Sequence, residues 1–278
     1  MSDLWAPLRA TTQARIGLGR AGNSLPTRRL LEFQAAHAAA RDAVHEPLDV
    51  DALTVRLRDI GAGLGEPLRV CSRAASRAEY LRRPDLGRSP ADLSSLPHTG
   101  ADIGIVLADG LSPRALTDHA AGTVGALVRE FGGRYRIAPP VIATQARVAL
   151  GDHIGQALSV TTVLVLIGER PGLSVADSLG IYLTHRPAPG LTDADRNCVS
   201  NIHPPDGLDY AAAAAVTAAL VAAARKLGRS GVVLKDTTRA AIGVARPANA
   251  PAGIDRSTAG PRPSSRPAAG TPAAPHAD

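Results

Sequence analysis

The sequence predicts an α/β fold: a mostly parallel sheet with helices on both faces, preceded by an N-terminal helical segment. Three observations point to it. Short β-branched runs such as Ile103-Gly-Ile-Val-Leu107 alternate with segments whose apolar residues recur at helical spacing. The runs are apolar throughout, as strands covered on both faces must be. Apolar residues make up 45% of the chain but aromatic ones only 3%, so the core is built from closely packed Leu, Val, Ile and Ala, which suits helices lying on a sheet.

Residues 1–23 form an arm, in which Trp5 and Leu8 are the only candidates for docking within the lead-in 1–14. The first helix expected after the arm starts near Pro26, with Ser24 as N-cap, Pro26 where a missing N–H costs nothing, and Leu30, Phe33, His37 and Val44 at helical spacing. It ends at His45 or Glu46, before Pro47. A second helix spans 50–60, stopped by Gly61 and Gly63. Residues 66–72 read as a short strand or a turn, and 76–82 as another helical piece ending at Pro84. The Pro, Ser and Gly of 83–100 mark a linker that closes an N-terminal part, 24–100.

The α/β domain proper covers 101–236. Strand 103–107 leads through Ala108-Asp109-Gly110 into a helix over 113–131. Strands are expected at 141–148, 161–167 and 179–184, with a helix over 153–158 between the first two. A strong helix over 211–227, capped by Gly228, precedes a final strand at 231–234. From 237 to 278 the chain is Ala, Pro, Gly, Ser and Arg without period, which predicts a disordered tail.

The formal charge of +6 raises the question of nucleic acid. Much of the excess lies in the tail (Arg239, Arg246, Arg256, Arg262, Arg266) or is interleaved with acids, as in Arg56-Leu-Arg-Asp59, and no aromatic stacking platform accompanies it. The expectation is a solvated basic surface, with no nucleic acid. Two cysteines, Cys71 and Cys198, make no disulfide framework, and no signal segment opens the chain, which points to a reducing, cytoplasmic setting. No apolar run is expected to span a membrane; 211–224 comes closest but reads as too short and too weakly apolar.

Gly17-Leu-Gly19-Arg-Ala-Gly22 matches the dinucleotide fingerprint, with Asp42 about twenty residues on. The segment before it, Thr11-Thr-Gln-Ala-Arg15, is too polar for a central strand, and Asp42 falls inside the first helix. A nucleotide-binding oxidoreductase is therefore the weaker reading, and a Gly-rich arm the better one. His153 misses the spacing of the cobalt-ligating Asp-x-His-x-x-Gly motif and reads as a helix-start residue, so no metal ligand is assigned. Cys198 and His203 are close in sequence, which says little about a thiol catalyst. Asp193 and Asp195 read as a cap or ion pair, and the turn at Asp109, Gly110, Ser112, Pro113 and Arg114 as a weak anion site. Glu169, just past a predicted strand, is either a ligand acceptor at the strand mouth or a surface partner of Arg170.

Three phrases, Arg147-Val-Ala-Leu-Gly-Asp-His-Ile-Gly155, Ile167-Gly-Glu-Arg-Pro-Gly-Leu-Ser174 and Arg196-Asn-Cys-Val-Ser-Asn201, closely resemble the small subunit of ethanolamine ammonia-lyase. The resemblance extends to 15–28, 35–49 and 230–236, and so covers nearly everything but the last forty or so residues. It implies adenosylcobalamin as cofactor, held with its own benzimidazole on cobalt, and contacts to it from Val148, Glu169 and Cys198. Without the resemblance, Val148 is an ordinary strand residue and Cys198 a buried cysteine or weak nucleophile.

The resemblance further implies a hetero-oligomer with a barrel-forming large subunit that binds ethanolamine and releases acetaldehyde and ammonia by a radical mechanism. No catalytic residue is expected on this chain, and the arm, through Arg15 and Arg20, is expected to reach the large subunit. Some members of the family carry a longer N-terminal extension or are packaged in a bacterial microcompartment; here there is little room for such an extension. A non-catalytic cobalamin carrier or scaffold is the alternative.

Overall fold

The computed structural model describes residues 4–61 and 63–236. The expected tail, 237–278, lies outside the described residues. The helices are α1 (Ala6–Arg9), α2 (Thr27–His45), α3 (Val50–Arg58), α4 (Arg77–Arg82), α5 (Pro113–Phe131), α6 (Leu150–Ala157) and α7 (Tyr210–Leu227). The strands are β1 (Leu68–Cys71), β2 (Ile103–Ala108), β3 (Val141–Thr144), β4 (Thr162–Gly168), β5 (Leu179–His185) and β6 (Asn197–Ile202), in one sheet of order β1-β3-β2-β4-β5-β6.

The sheet is mixed, not mostly parallel. The pairs β1–β3, β3–β2 and β2–β4 are parallel, whereas β4–β5 and β5–β6 are antiparallel. The physical reason lies in the connections. A parallel return needs a crossover of a dozen or more residues, which α5 supplies between β2 and β3 and α6 between β3 and β4. The link from β4 to β5 holds no helix, so the chain turns back beside the strand it has just left.

Helices cover both faces. Ile105 and Leu107 of β2, Leu164 and Leu166 of β4 and Ile181 of β5 meet α3, α5 and α7 on one side. Val106, Val163, Val165 and Ile167 meet Leu150, Ile154 and Leu158 of the α6 region on the other. That second contact is close: a Cβ added at Gly151 would run into the Val165 side chain, and one at Gly155 would stand 2.6 Å from Pro187 Cγ.

Caps follow sequence chemistry. Side chains of Asp49, Ser76, Ser112 and Asp209 accept from backbone N–H groups in the first turns of α3, α4, α5 and α7, and Gly132 and Gly228 close α5 and α7 in the left-handed conformation. The expected Ser24 cap is not made: Pro26 occupies the N-cap of α2, and Ser24 instead bridges Ala21.

Two strand expectations change. Residues 231–234 form no strand, because the Asn197 side chain takes their polar groups, accepting from Gly231 N and donating to the Gly231 and Leu234 carbonyls. β6, unexpected from sequence, is the edge strand beside β5, and its Asn, Cys and Ser residues hid it. α7, at 18 residues, is long and apolar enough to cross a membrane, contrary to expectation, and in this structure its Ala213, Thr217, Leu220, Val221 and Ala224 pack into the core.

Candidate functional site

β3, β2 and β4 are adjacent and parallel, so their carboxyl ends open on the same side. The chain steps from β2 to β3 on one side and returns to β4 on the other, and the intervening α5 and α6 lie on opposite faces. The crevice outside such strand ends is where open α/β sheets bind ligands. Here it is a cleft of about 250 Å³ lined by Tyr80, Leu111, Arg147, Val148, Glu169 and Tyr182 among others. Arg147 and Val148 also line a neighbouring cleft of about 530 Å³, with Arg88, His153 and Arg196.

Each side chain is placed by its element. β3 stops at Thr144, and Gln145 takes a positive φ of 54°, so Val148 sits in the turn into α6, not in the strand expected over 141–148. Glu169 follows β4 and is fixed twice: its backbone N–H donates to Ser178 O at 2.9 Å, and the Ser178 hydroxyl donates to its Oε2 at 2.6 Å. Its Oε1 takes no hydrogen bond from the described residues. Gly180 leaves room for that oxygen, because a Cβ there would come within 2.7 Å of it.

Cys198 on β6 is the cross-strand partner of Tyr182 on β5, so the two share the sheet face that carries α6. Cys198 is exposed as a residue, yet loss of water around its sulfur pushes the thiol up to about 11, with the charge of Glu169 adding to the effect. Tyr182 is raised as well, first by burial and then by Cys198 and Glu169. The structure therefore brings Val148 and Glu169 to one cleft, with Cys198 on the adjoining sheet surface through Tyr182.

Sequence reasoning missed the frame around these residues. Arg196 and Asp152, both 2% exposed, form an ion pair that ties α6 to the start of β6 and so joins two of the three characteristic phrases. Burial raises the Asp152 carboxyl against the opposing pull of Arg196. Asp109, expected in an anion-binding turn, instead accepts from Gln145 N at 2.8 Å and Ala146 N at 2.9 Å and lies 3.5 Å from Arg77. Within that turn Leu111 N donates to Gly168 O, and Ala115 N, in the first turn of α5, donates to Ser112.

Asp195 closes a capping box with Thr192, and Asp193 lies 3.4 Å from Arg196, as a cap and an ion pair would require. His153 lies within α6, and burial lowers its basicity. Among the described residues no group of three His, Cys, Asp or Glu side chains could hold a metal ion. Among the described residues the Gly17–Gly22 segment follows no strand, and Asp42 lies inside α2. Arg15 is engaged within the chain, donating to Leu173 O at 2.9 Å in the loop after Glu169.

Would these residues suit a corrinoid? The free Glu169 Oε1 is an acceptor for peripheral amide N–H groups, the Arg147 Nε is a buried donor without a partner, and Val148 and Ile167 supply apolar floor. The polar groups present fit such a ligand, and the two adjoining clefts share Arg147 and Val148.

The family model described as Ethanolamine ammonia-lyase light chain (EutC) matches residues 2–235. The ethanolamine ammonia-lyase small subunit of Rhodococcus erythropolis is 67% identical over 238 residues, covering 86% of this chain and 92% of that protein. Those of Rhodopseudomonas palustris (strain BisA53) and Ralstonia nicotianae are 50% and 48% identical, covering 82% and 84% of this chain and 88% of each of those proteins. With its open sheet, its crevice at the strand ends and this likeness along nearly all of 2–235, the chain belongs to the ethanolamine ammonia-lyase light-chain family.

Proposed function

We propose that this chain is the small subunit of an adenosylcobalamin-dependent ethanolamine ammonia-lyase, working in the cytoplasm and active only when assembled with the large subunit. The observation that supports the reading is that Val148, Glu169 and Tyr182, the cross-strand partner of Cys198, line one open crevice beyond the carboxyl ends of β3, β2 and β4. Glu169 accepts from amide N–H groups at the corrin rim through Oε1, while Ser178 holds Oε2. Val148 contributes apolar contact, and Cys198 with Tyr182 extends the floor along the sheet. One-electron chemistry comes from the cofactor when it is bound; this chain holds and orients it.

The exposed apolar side chains of α2, among them Leu30, Leu31 and Phe33, support assembly with a partner, since such residues seldom stand together in water without one. Acetaldehyde release from ethanolamine and adenosylcobalamin tests the proposal, using this chain, a matching large subunit, and the two mixed. Turnover in the mixture alone is expected. A mixture that co-purifies as a complex but is inactive would reject the activity and favour a cobalamin carrier.

A further inference from the structure

We propose that Arg147 clamps the phosphodiester of the cofactor's nucleotide tail, an inference that rests on the cofactor reading above. Arg147 stands at the boundary of the two clefts and lines both. Its backbone N–H donates to Gly87 O at 2.8 Å. Its guanidinium carbon lies 4.7 Å from the centre of the Tyr80 ring. That ring is itself fully buried and fixed by its hydroxyl, which donates to Ala146 O at 3.0 Å. Gly87 makes the arrangement possible: a Cβ there would come 2.8 Å from Tyr80 Cε2 and 3.0 Å from Arg147 Cγ.

The charge of this cluster does not balance. Arg77 lies against the same ring, at 4.9 Å, and has Asp109 at 3.5 Å. Arg196, in the larger cleft, has Asp152. Arg147 has no carboxylate within ion-pair distance among the described residues, and its Nε is buried without a hydrogen-bond partner. A guanidinium stripped of part of its water and given no counterion is costly unless an anion arrives with the ligand. The planar arginine fork suits phosphate oxygens, which it can hold through two parallel N–H donors. Cobalamin carries one such anion, the phosphodiester, and its other peripheral groups are neutral amides. The aromatic ring beneath keeps the fork from collapsing onto the protein surface.

The test uses the assembled complex of this chain with its large subunit, titrated with cyanocobalamin and with dicyanocobinamide, which keeps the corrin but lacks phosphate, ribose and base. Arg147→Gln is expected to weaken cyanocobalamin about tenfold or more and to leave dicyanocobinamide unchanged, with Arg147→Lys in between. Equal losses on both probes, or a loss on neither, would overturn the clamp. So would failure of the variant to join the large subunit, which would place a partner carboxylate on Arg147.

The ³¹P resonance of bound cyanocobalamin gives a second readout. It is expected to move between the wild-type and Arg147→Lys complexes, and an identical resonance counts against the proposal. A wild-type complex that binds neither probe would remove the cofactor reading itself, and the clamp with it.

Discussion

Leu166 in β4 and Leu31 in α2 have the same side chain in opposite circumstances. Leu166 is fully buried between the sheet and its covering helices, while Leu31 is 59% exposed on a helix of which only Ala43 is buried. The sheet region buries its central apolar side chains within the chain and pairs Asp152 with Arg196 there. The N-terminal helix is tied down mainly at its end, where Arg77 donates to Val44 O at 2.7 Å. A helix gains most of its stability from burying a face. Among the described residues nothing covers Leu30, Leu31 and Phe33 of α2, whereas the cleft-lining residues rest on a frame built from β3, β4, α6 and β6.

This contrast sets the expected size of substitution effects. The largest is expected from Asp152→Ala, which strands Arg196 in the interior and should cost roughly 3–5 kcal/mol in denaturant unfolding of the isolated chain. A loss below about 1 kcal/mol would mean that the frame does not depend on this pair. Leu166→Ala opens a cavity in the central layer, with an expected cost of about 2–5 kcal/mol by the same measurement.

At the site, the raised Cys198 thiol has a definite kinetic sign. A thiol shifted up to about 11 from its ordinary 9.0 stays protonated at pH 9, so less of it is the reactive thiolate. In a Cys71→Ser background, iodoacetamide should label Cys198 several-fold more slowly at pH 9 in the folded chain than in urea, because the smaller thiolate fraction outweighs the greater nucleophilicity of a thiolate with a higher pKa. Equal rates would show that water reaches the sulfur freely. Ser112→Ala removes the α5 cap and should cost about 1 kcal/mol, read as a shift in the denaturant midpoint.

The smallest effect on the isolated chain is expected from Phe33→Ala, within about 0.5 kcal/mol, because that ring is 40% exposed. The same substitution should weaken co-purification with the large subunit. A destabilised monomer with unchanged assembly would move α2 from the partner's side of the account to this chain's.

Much of this was legible in sequence, for identifiable reasons. β2 and β4 are apolar without interruption and α5 has its cap and its closing glycine, so local chemistry and tertiary structure agree there. Glu169 could be placed at a strand mouth because it directly follows β4, while its role there came from the resemblance, since a surface partner of Arg170 fitted the local residues equally well. Tyr182 could not, since one aromatic residue in an apolar strand reads as core, and only the pairing with Cys198 puts it on the cleft side. The unpaired state of Arg147 was equally invisible, because it depends on where Asp109 and Asp152 point.

By itself the sequence determined most of the helices and the central strands and, through its resemblance, the family. Each rests on neighbouring residues along the chain, where side-chain period, cap and turn chemistry act directly. Tertiary structure alone decided that β5 and β6 run as antiparallel partners, that 231–234 is held by Asn197 instead of a ladder, and that Arg147 faces the clefts without a carboxylate among the described residues. Strand direction, edge pairing and charge balance are settled by groups far apart in sequence, and they become determinate only when the whole sheet has closed.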